Sequence, residues 1–381
     1  MAKLGDFISP TKNIKCGDGK YPVLSMTMHD GIVLQSDRFK KSLASADRSG
    51  YKVVDYGQLV VGFPIDEGVL YLQRVIEQGI MSPAYNVWDV DYSHVDPSYF
   101  ELSLHSPQAM QYYKENLRGS TARRRSLPKE VLLELPLKMP SMDEQKRVAT
   151  SIDKLTHLID MRSKQLDKQD ELVKSRFIEM FGDPVCNPKG WITKPLLDMG
   201  YCKNGVNFHT GDSGMEIHCL GVGDFKDLSV IDGTEHLPVI ALNEAPKKES
   251  MLRDGDIVFV RSNGNKALVG RCLVVYPHNT PTTYSGFCIR YRLTSGEVDI
   301  TYLLQVLKTD TMRKKMAGRG ANIQNLNQQI LATLDIPLPP LDLQNQFADF
   351  VAQVDKSKLV AQKSLEQLDI LKKALMQEYF G

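Results

Sequence analysis

The sequence has no excess of either charge: 47 Lys and Arg stand against 46 Asp and Glu, a formal net charge of +1 over 381 residues. Such a chain projects no global basic field, so any nucleic-acid contact must come from local clusters. No apolar run approaches the ~20 residues that cross a bilayer. Met1-Ala2-Lys3-Leu4-Gly5-Asp6-Phe7 lacks the basic-then-apolar pattern of a secretory signal. The expectation is a cytoplasmic protein with no membrane partner. The six cysteines (Cys16, Cys186, Cys202, Cys219, Cys272 and Cys288) never form a C-x-x-C pair, which fits reduced thiols. Cys202, His209, His218 and Cys219 match no familiar zinc-ligand spacing, so no metal is expected.

Catalytic motifs are missing as well. Gly17-Asp18-Gly19-Lys20 lacks the first glycine and the hydroxyl of a P-loop, and Gly221-Val222-Gly223 lacks the third glycine of a dinucleotide fingerprint. There is no G-x-S-x-G elbow and no H-E-x-x-H. Asp183-Pro184-Val185-Cys186 and Asn187-Pro188-Lys189-Gly190 lack the second proline and the aromatic of a DNA amino-methyltransferase motif, and read as linker turns. No catalytic residue is expected. A stand-alone DNA nuclease, built of scattered carboxylates and a lysine, or a methyltransferase with an unrecognised site stays open as an alternative.

What is present is a repeat. Met142-Asp143-Glu144-Gln145 and Leu341-Asp342-Leu343-Gln344 lie 199 positions apart, and the same offset carries Glu179-Met180-Phe181-Gly182 onto Glu378-Tyr379-Phe380-Gly381. Between these ends Ala149, Lys164, Leu166, Asp170, Leu172 and Lys174 recur at that spacing. Upstream the echoes are fainter: Val95-Asp96-Pro97-Ser98-Tyr99 with Val298-Asp299-Ile300-Thr301-Tyr302, and Leu135-Pro136-Leu137 with Ile336-Pro337-Leu338. The order is globule, tail, globule, tail.

Both tails predict long helices. Val148, Ile152, Leu155, Ile159, Leu166 and Val173 fall on one seam of the first, interrupted at Arg162 and Gln169. Phe347, Val351, Val354, Ala361, Leu365, Leu368, Leu375 and Tyr379 form that of the second, interrupted at Lys358 and Lys372. Ser141 and Asp342 are placed near the N-caps, and Gly182 and Gly381 at the stops. A helix of ~38 residues is ~57 Å long, and its seam needs a partner helix, for which the other copy is the obvious choice.

The globules read as mixed α and β. Short runs such as Asp256–Val260 and Arg271–Tyr276 predict strands, while 97–116 and 300–316 each predict one helix. Four basic clusters are candidates for DNA contact: Arg38, Lys40 and Lys41; Arg118 with Arg123, Arg124 and Arg125; Arg261, Asn263, Asn265, Lys266 and Arg271; and Arg313, Lys314 and Arg319. Lys and Arg neutralise phosphates, and Arg and Asn in addition read base edges. The 261–266 segment joins two predicted strands, as a loop entering a groove does. The aromatics Tyr85, Trp88, Tyr284 and Phe287 are assigned to the cores.

The order and duplication of these features resemble the specificity subunits of type I restriction-modification systems. The resembling residues are Pro136–Pro140 and Ile336–Leu341 followed by D-x-Q and the helix, Phe181-Gly182-Asp183-Pro184 with Asn187-Pro188-Lys189-Gly190-Trp191, and Gly255-Asp256-Ile257-Val258 with Arg261-Ser262-Asn263-Gly264. The resemblance implies an α+β chain with an internal pseudo-two-fold repeat: target-recognition domains at 1–138 and 183–337, spacer helices at 139–182 and 338–381. It implies that the helices pair antiparallel as a coiled-coil spacer between half-site readers. The implied partners are double-stranded DNA, two methyltransferase subunits and two motor-nuclease subunits. S-adenosylmethionine, ATP and Mg²⁺ would serve those partners, and this chain would bind no cofactor. A coiled-coil adaptor without DNA stays open as a further alternative.

Overall fold

The computed structural model describes residues 2–28, 30–38, 47–117, 127–209, 211–225, 228–317 and 325–381. The chain divides into two compact units: Met1–Lys164 with Gln362–Gly381, and Gln165–Ala361. Each unit therefore contains one globule, the start of the helix that follows it, and the end of the other long helix.

The first unit is built on a four-stranded antiparallel sheet in the order Ile8–Pro10, Asn86–Val90, Leu59–Val61, Leu70–Leu72. Its core gathers Leu59, Leu70, Trp88, Phe100 and Tyr113. Helices Pro97–Leu104 and Pro107–Asn116 cover it. One helix was expected here. The chain instead breaks at His105-Ser106, because Ser106 Oγ accepts from Ala109 N–H (3.1 Å) and Pro107 lacks the N–H that would continue the ladder.

The second unit has a five-stranded sheet in the order Gly200–Asn204, Cys288–Leu293, Asp256–Val260, Cys272–Tyr276, Val230–Asp232; only the last pair is parallel. Asp256–Val260 is buried along its whole length, as the unbroken apolar run 257–260 requires of a central strand. A three-stranded sheet (Val239–Leu242, Met215–Leu220, Thr282–Tyr284) completes the globule. The helical stretch is again two helices, Ile300–Lys308 and Asp310–Ala317, separated by Thr309, whose hydroxyl donates to Val306 O (2.8 Å).

The faint repeat has a structural meaning. Each globule closes on itself through its first strand: Ala2–Lys3 pairs with Pro136–Leu137, and Thr193–Pro195 with Asp335–Pro337. Leu4 N–H then donates to Leu135 O (2.9 Å), and Leu196 N–H to Leu334 O (2.8 Å). Asp96 and Asp299 cap equivalent helices, and the hydroxyls of Tyr99 and Tyr302 donate to Lys138 O and Pro337 O, both at 2.9 Å.

The long helices are Met142–Phe181 and Leu341–Phe380, 40 residues each. Ser141 caps the first as expected, while Asp342 lies inside the first turn of the second, which starts one residue earlier. Gly182 takes the left-handed conformation (φ 78°) that stops the first helix. A duplicated clamp fixes each helix start. Gln145 Oε1 accepts from Asp96 N–H (2.8 Å) and its amide donates to His94 O (3.1 Å) and Pro140 O (2.9 Å). Gln344 repeats this with Asp299 N–H (2.8 Å), Glu297 O (3.2 Å) and Pro339 O (2.8 Å). Both glutamines are buried, and a buried amide with its polar atoms satisfied admits little freedom of angle.

The helix ends pack on the same caps. In the second unit Phe181 meets Tyr302 (ring centroids 4.7 Å) and Phe347 (5.6 Å), with Phe177 5.5 Å from Phe347. In the first, Phe380 meets Tyr99 (5.0 Å) beside Val148, Ala149 and Ile152. Within each unit, then, the start of one long helix packs beside the end of the other. Two interruptions of the seam are also resolved: Lys358 Nζ reaches Asp170 Oδ1 (2.5 Å), and Gln169 donates to Ser357 Oγ (2.8 Å). These seam breaks form a polar step, the device by which helix pairs fix register.

Candidate nucleic-acid interface

The described basic candidates concentrate on the loop that links the two central strands of the second unit. After Val260 the chain turns out of the sheet. Arg261 N–H and Ser262 N–H donate to Phe287 O (2.8 and 3.2 Å), and Arg261 Nη1 donates to Gly286 O (3.1 Å). Asn263 Oδ1 accepts from Asn265 N–H (2.8 Å) and Asn265 Oδ1 from Ala267 N–H (3.1 Å), two successive Asx turns that shape the loop. Arg313 reaches across from its helix to donate to Ala267 O (2.8 Å), and Leu326 N–H donates to Arg261 O (2.8 Å).

The sequence candidates thus fall into different environments. Asn265, Lys266 and Lys314 are exposed, and Asn263 is half-buried at the loop's start. Arg261 and Arg313 are half-buried, each with a donor committed to a main-chain carbonyl of this loop region. Arg271, also half-buried, lines a cavity of about 550 Å³ together with Arg313, Lys174, Lys308 and Asp183. Burial holds the Lys308 ammonium below the ordinary lysine range, and its Nζ donates to Ser229 Oγ. In the first unit Arg38 is exposed and paired with Asp30. Lys40, Lys41, Arg118, Arg123, Arg124, Arg125 and Arg319 lie outside the described residues.

The expected seam residues divide by depth. Val148, Ile152, Leu155, Val173, Phe347 and Val354 are buried, while Ile159, Leu166, Val351, Leu365, Leu368 and Leu375 are half-buried. Sequence reading passed over Phe177 and Phe181, which are more deeply buried than Val173. Among the aromatics, Trp88 and Tyr284 are core residues and Tyr85 is half-buried. The core assignment of Phe287 is corrected: it is 63% exposed, because it sits on a turn between strands rather than within one.

Burial pushes the thiols of Cys202, Cys219, Cys272 and Cys288 up to about 12, so they are protonated at neutral pH. Cys202 and Cys219 stand on strands of different sheets, and His218 Nδ1 is bonded to Leu237 O (3.0 Å). Among the described residues no helix is long and apolar enough to cross a membrane.

Residues 240–369, which contain this loop, the strand pair around it and most of the second long helix, match the family model of the type I restriction modification DNA specificity domain. The chain is similar to type I specificity subunits. It is 28% identical to the specificity subunit of the type I restriction enzyme StySPI of Salmonella potsdam, over 58% of this chain and 50% of that protein, so the match spans about half the length of that relative. It is 21% identical to the MjaVIII specificity subunit of Methanocaldococcus jannaschii, over 99% of this chain and 90% of that one. Among solved structures it is similar to the S subunit of a type I system from M. genitalium (TM-score 0.56, 13% identity, covering 100% of this chain and 95% of that one). It is similar also to a chain solved in work on complex assembly and conformational transition of the type I system (TM-score 0.60, 16% identity, 100% and 96% covered). At those identities the two structures establish the fold. It is mixed helix and sheet, as expected.

Proposed function

We propose that this chain is the DNA-recognition subunit of a type I restriction-modification complex. Its two globules each read one half of a split site in double-stranded DNA, and the long helices pair as an antiparallel spacer that fixes the unread gap. On this reading the recognition domains are 1–138 and 183–337, with the spacer helices at 139–182 and 338–381, and the complex works in the cytoplasm. The chain is non-catalytic. Two methyltransferase subunits bring S-adenosylmethionine, and two motor-nuclease subunits bring ATP and Mg²⁺ chemistry.

The observation that carries this reading is the duplicated clamp. Gln145 and Gln344 fix equivalent globules to the starts of equivalent helices through the same three hydrogen bonds. A reader joined so firmly to a helix is what a spacer of defined length requires, since a flexible joint would leave the gap undefined. The exposed Asn265 and Lys266 on a preformed loop supply donors suited to DNA. Methylating one base in a duplex requires flipping it into a dedicated pocket, which a partner can hold if something rigid sets its register.

The test is binding by the complex of this chain with its methyltransferase subunits. It should protect two short tracts of duplex DNA separated by an unprotected gap. Affinity should fall ~10³-fold or more between about 50 and 200 mM salt, as expected when several phosphates are neutralised. Salt-insensitive binding, or none, favours the adaptor.

A further inference from the structure

We infer that Phe287 is a base-contacting residue of the second globule and that it recognises a thymine through its C5-methyl group in the major groove. The inference rests on the DNA-recognition reading above and assigns one residue within it.

An exposed phenylalanine is unremarkable when it is mobile or isolated. Phe287 is neither. Its carbonyl accepts two hydrogen bonds, from Arg261 N–H (2.8 Å) and Ser262 N–H (3.2 Å), and its own N–H donates to Ser285 Oγ (3.3 Å). The preceding Gly286 donates to Val206 O (2.6 Å) and accepts from the Arg261 guanidinium (3.1 Å). A bridge between Val206 and Ser285 lays the 205–208 turn alongside, where Phe208 is a second exposed aromatic.

The approach is close: at Gly205 a Cβ would run into main chain, so a side chain there is excluded, while at Gly286 it would push the Asn207 side chain aside. A Cβ on Gly286 would fall 2.0 Å from Asn207 Oδ1, and one on Gly205 would fall 2.2 Å from Ser285 O. The turn is thereby kept narrow, and the main chain that carries Phe287 is fixed before any ligand arrives, with its side chain exposed. Holding a large apolar ring in water on a rigid turn stabilises nothing in the isolated chain. It lowers the ordering entropy of binding.

The surroundings specify the ligand. The hydrogen bonds that pin Phe287 are also those that launch the 261–268 loop, so ring and loop share one base. That loop carries Asn263, Asn265 and Lys266, amide and ammonium groups that match base-edge and phosphate acceptors. Among the major-groove edges, the thymine methyl is the apolar feature, and an apolar side chain such as Phe is its complement. Insertion of the ring between bases would need unstacking, for which a ring fixed beside hydrogen-bonding groups at the groove edge is less suited.

The test uses the complete complex with methyltransferase subunits and a duplex carrying its methylation site. Each thymine of the site and its flanks is replaced in turn by deoxyuridine, which removes the methyl alone. For the wild-type complex, one position should weaken binding about fourfold, the value of one buried methyl-sized group. Phe287→Ala should bind the unmodified duplex at least as much more weakly and be indifferent to deoxyuridine at that position. Phe287→Leu should restore part of the sensitivity. The inference is overturned if no thymine position is sensitive in the wild type, if the site contains no thymine, or if Phe287→Ala keeps the full sensitivity. If the wild-type complex shows no preference for any sequence, the recognition reading itself fails, which is a separate result.

Discussion

Replacing Asp256 by Asn should unfold the second unit far more readily than its size suggests. Asp256 lies at the start of the central strand and is 1% exposed. Its Oδ1 accepts from Arg292 Nε (2.7 Å), and its Oδ2 accepts from Arg292 Nη2 (2.6 Å) and from Arg253 N–H (2.7 Å). Arg290, two residues before Arg292 on strand Cys288–Leu293 and therefore on the same face as Arg292, is fully buried. Its nearest carboxylate oxygen is Asp256 Oδ1 at 3.7 Å, its guanidinium nitrogens have no hydrogen-bond partner among the described residues, and its charge lies 5.1 Å from the centre of the Tyr201 ring. One carboxylate thus faces two buried guanidinium groups. Removing its charge leaves both uncompensated, and breaking a buried pair in this way costs about 3–5 kcal/mol. Replacing Arg290 by Met removes a buried charge without hydrogen bonds and fills similar volume, so that variant should be neutral or up to ~4 kcal/mol more stable. The assay is urea unfolding followed by Trp191 emission in a Trp88→Phe background, which leaves a single tryptophan, in the second unit. Asp256→Asn should lower the unfolding free energy by at least ~3 kcal/mol, and adding Arg290→Met should recover part of that loss. A loss under ~1 kcal/mol, or a double variant no better than Asp256→Asn, would refute the charge argument.

Other perturbations follow from the same reasoning. Gln344→Ala leaves the Asp299 N–H and the carbonyls of Glu297 and Pro339 without their partner, and should lower stability by about 1–3 kcal/mol. Gln145→Ala should lower that of the first unit by a similar amount, and two clearly unequal losses in urea unfolding would contradict the equivalence of the clamps. His278 is bonded through Nε2 to Asp232 Oδ1 (2.6 Å), and this bond, helped by the charge of Asp254, raises its imidazole above the ordinary histidine range. Its stabilising effect is present below the unfolded value of about 6.5 and is lost as pH rises through the raised folded value. The difference in thermal midpoint between wild type and His278→Gln should therefore narrow from about pH 5 to about pH 8; a gap that does not change with pH would contradict the ion pair.

The sequence made the scaffold legible where the signal was local and repeated. The buried strand 256–260 and the two 40-residue helices announce themselves through unbroken apolar runs and seam spacing. The helix breaks at Ser106 and Thr309 were missed, although Ser-Pro is a start signal that spacing alone obscured. The D-x-Q motif was visible as a repeat but not as a clamp, because Gln145 and Asp96 are 49 residues apart and only the fold joins them. Arg290 and Arg292 alternate on one strand, and their pairing with Asp256 joins residues 34 and 36 positions apart, which only the fold brings together. Phe287 was assigned inward because aromatics usually are, and the glycines at 205 and 286 were the available hint that a tight turn carries it. The basic clusters were visible as charge, but charge does not distinguish the exposed Lys266 from the half-buried Arg313.

The most direct test of the central claim is a genome-wide map of methylated adenine in the host, with this gene present and deleted, while the methyltransferase partner is expressed. One split motif with a fixed unread gap should be methylated when the gene is present and should lose that methylation when it is deleted. A methylation pattern unchanged by the deletion would contradict the assignment of this chain as the subunit that selects the site.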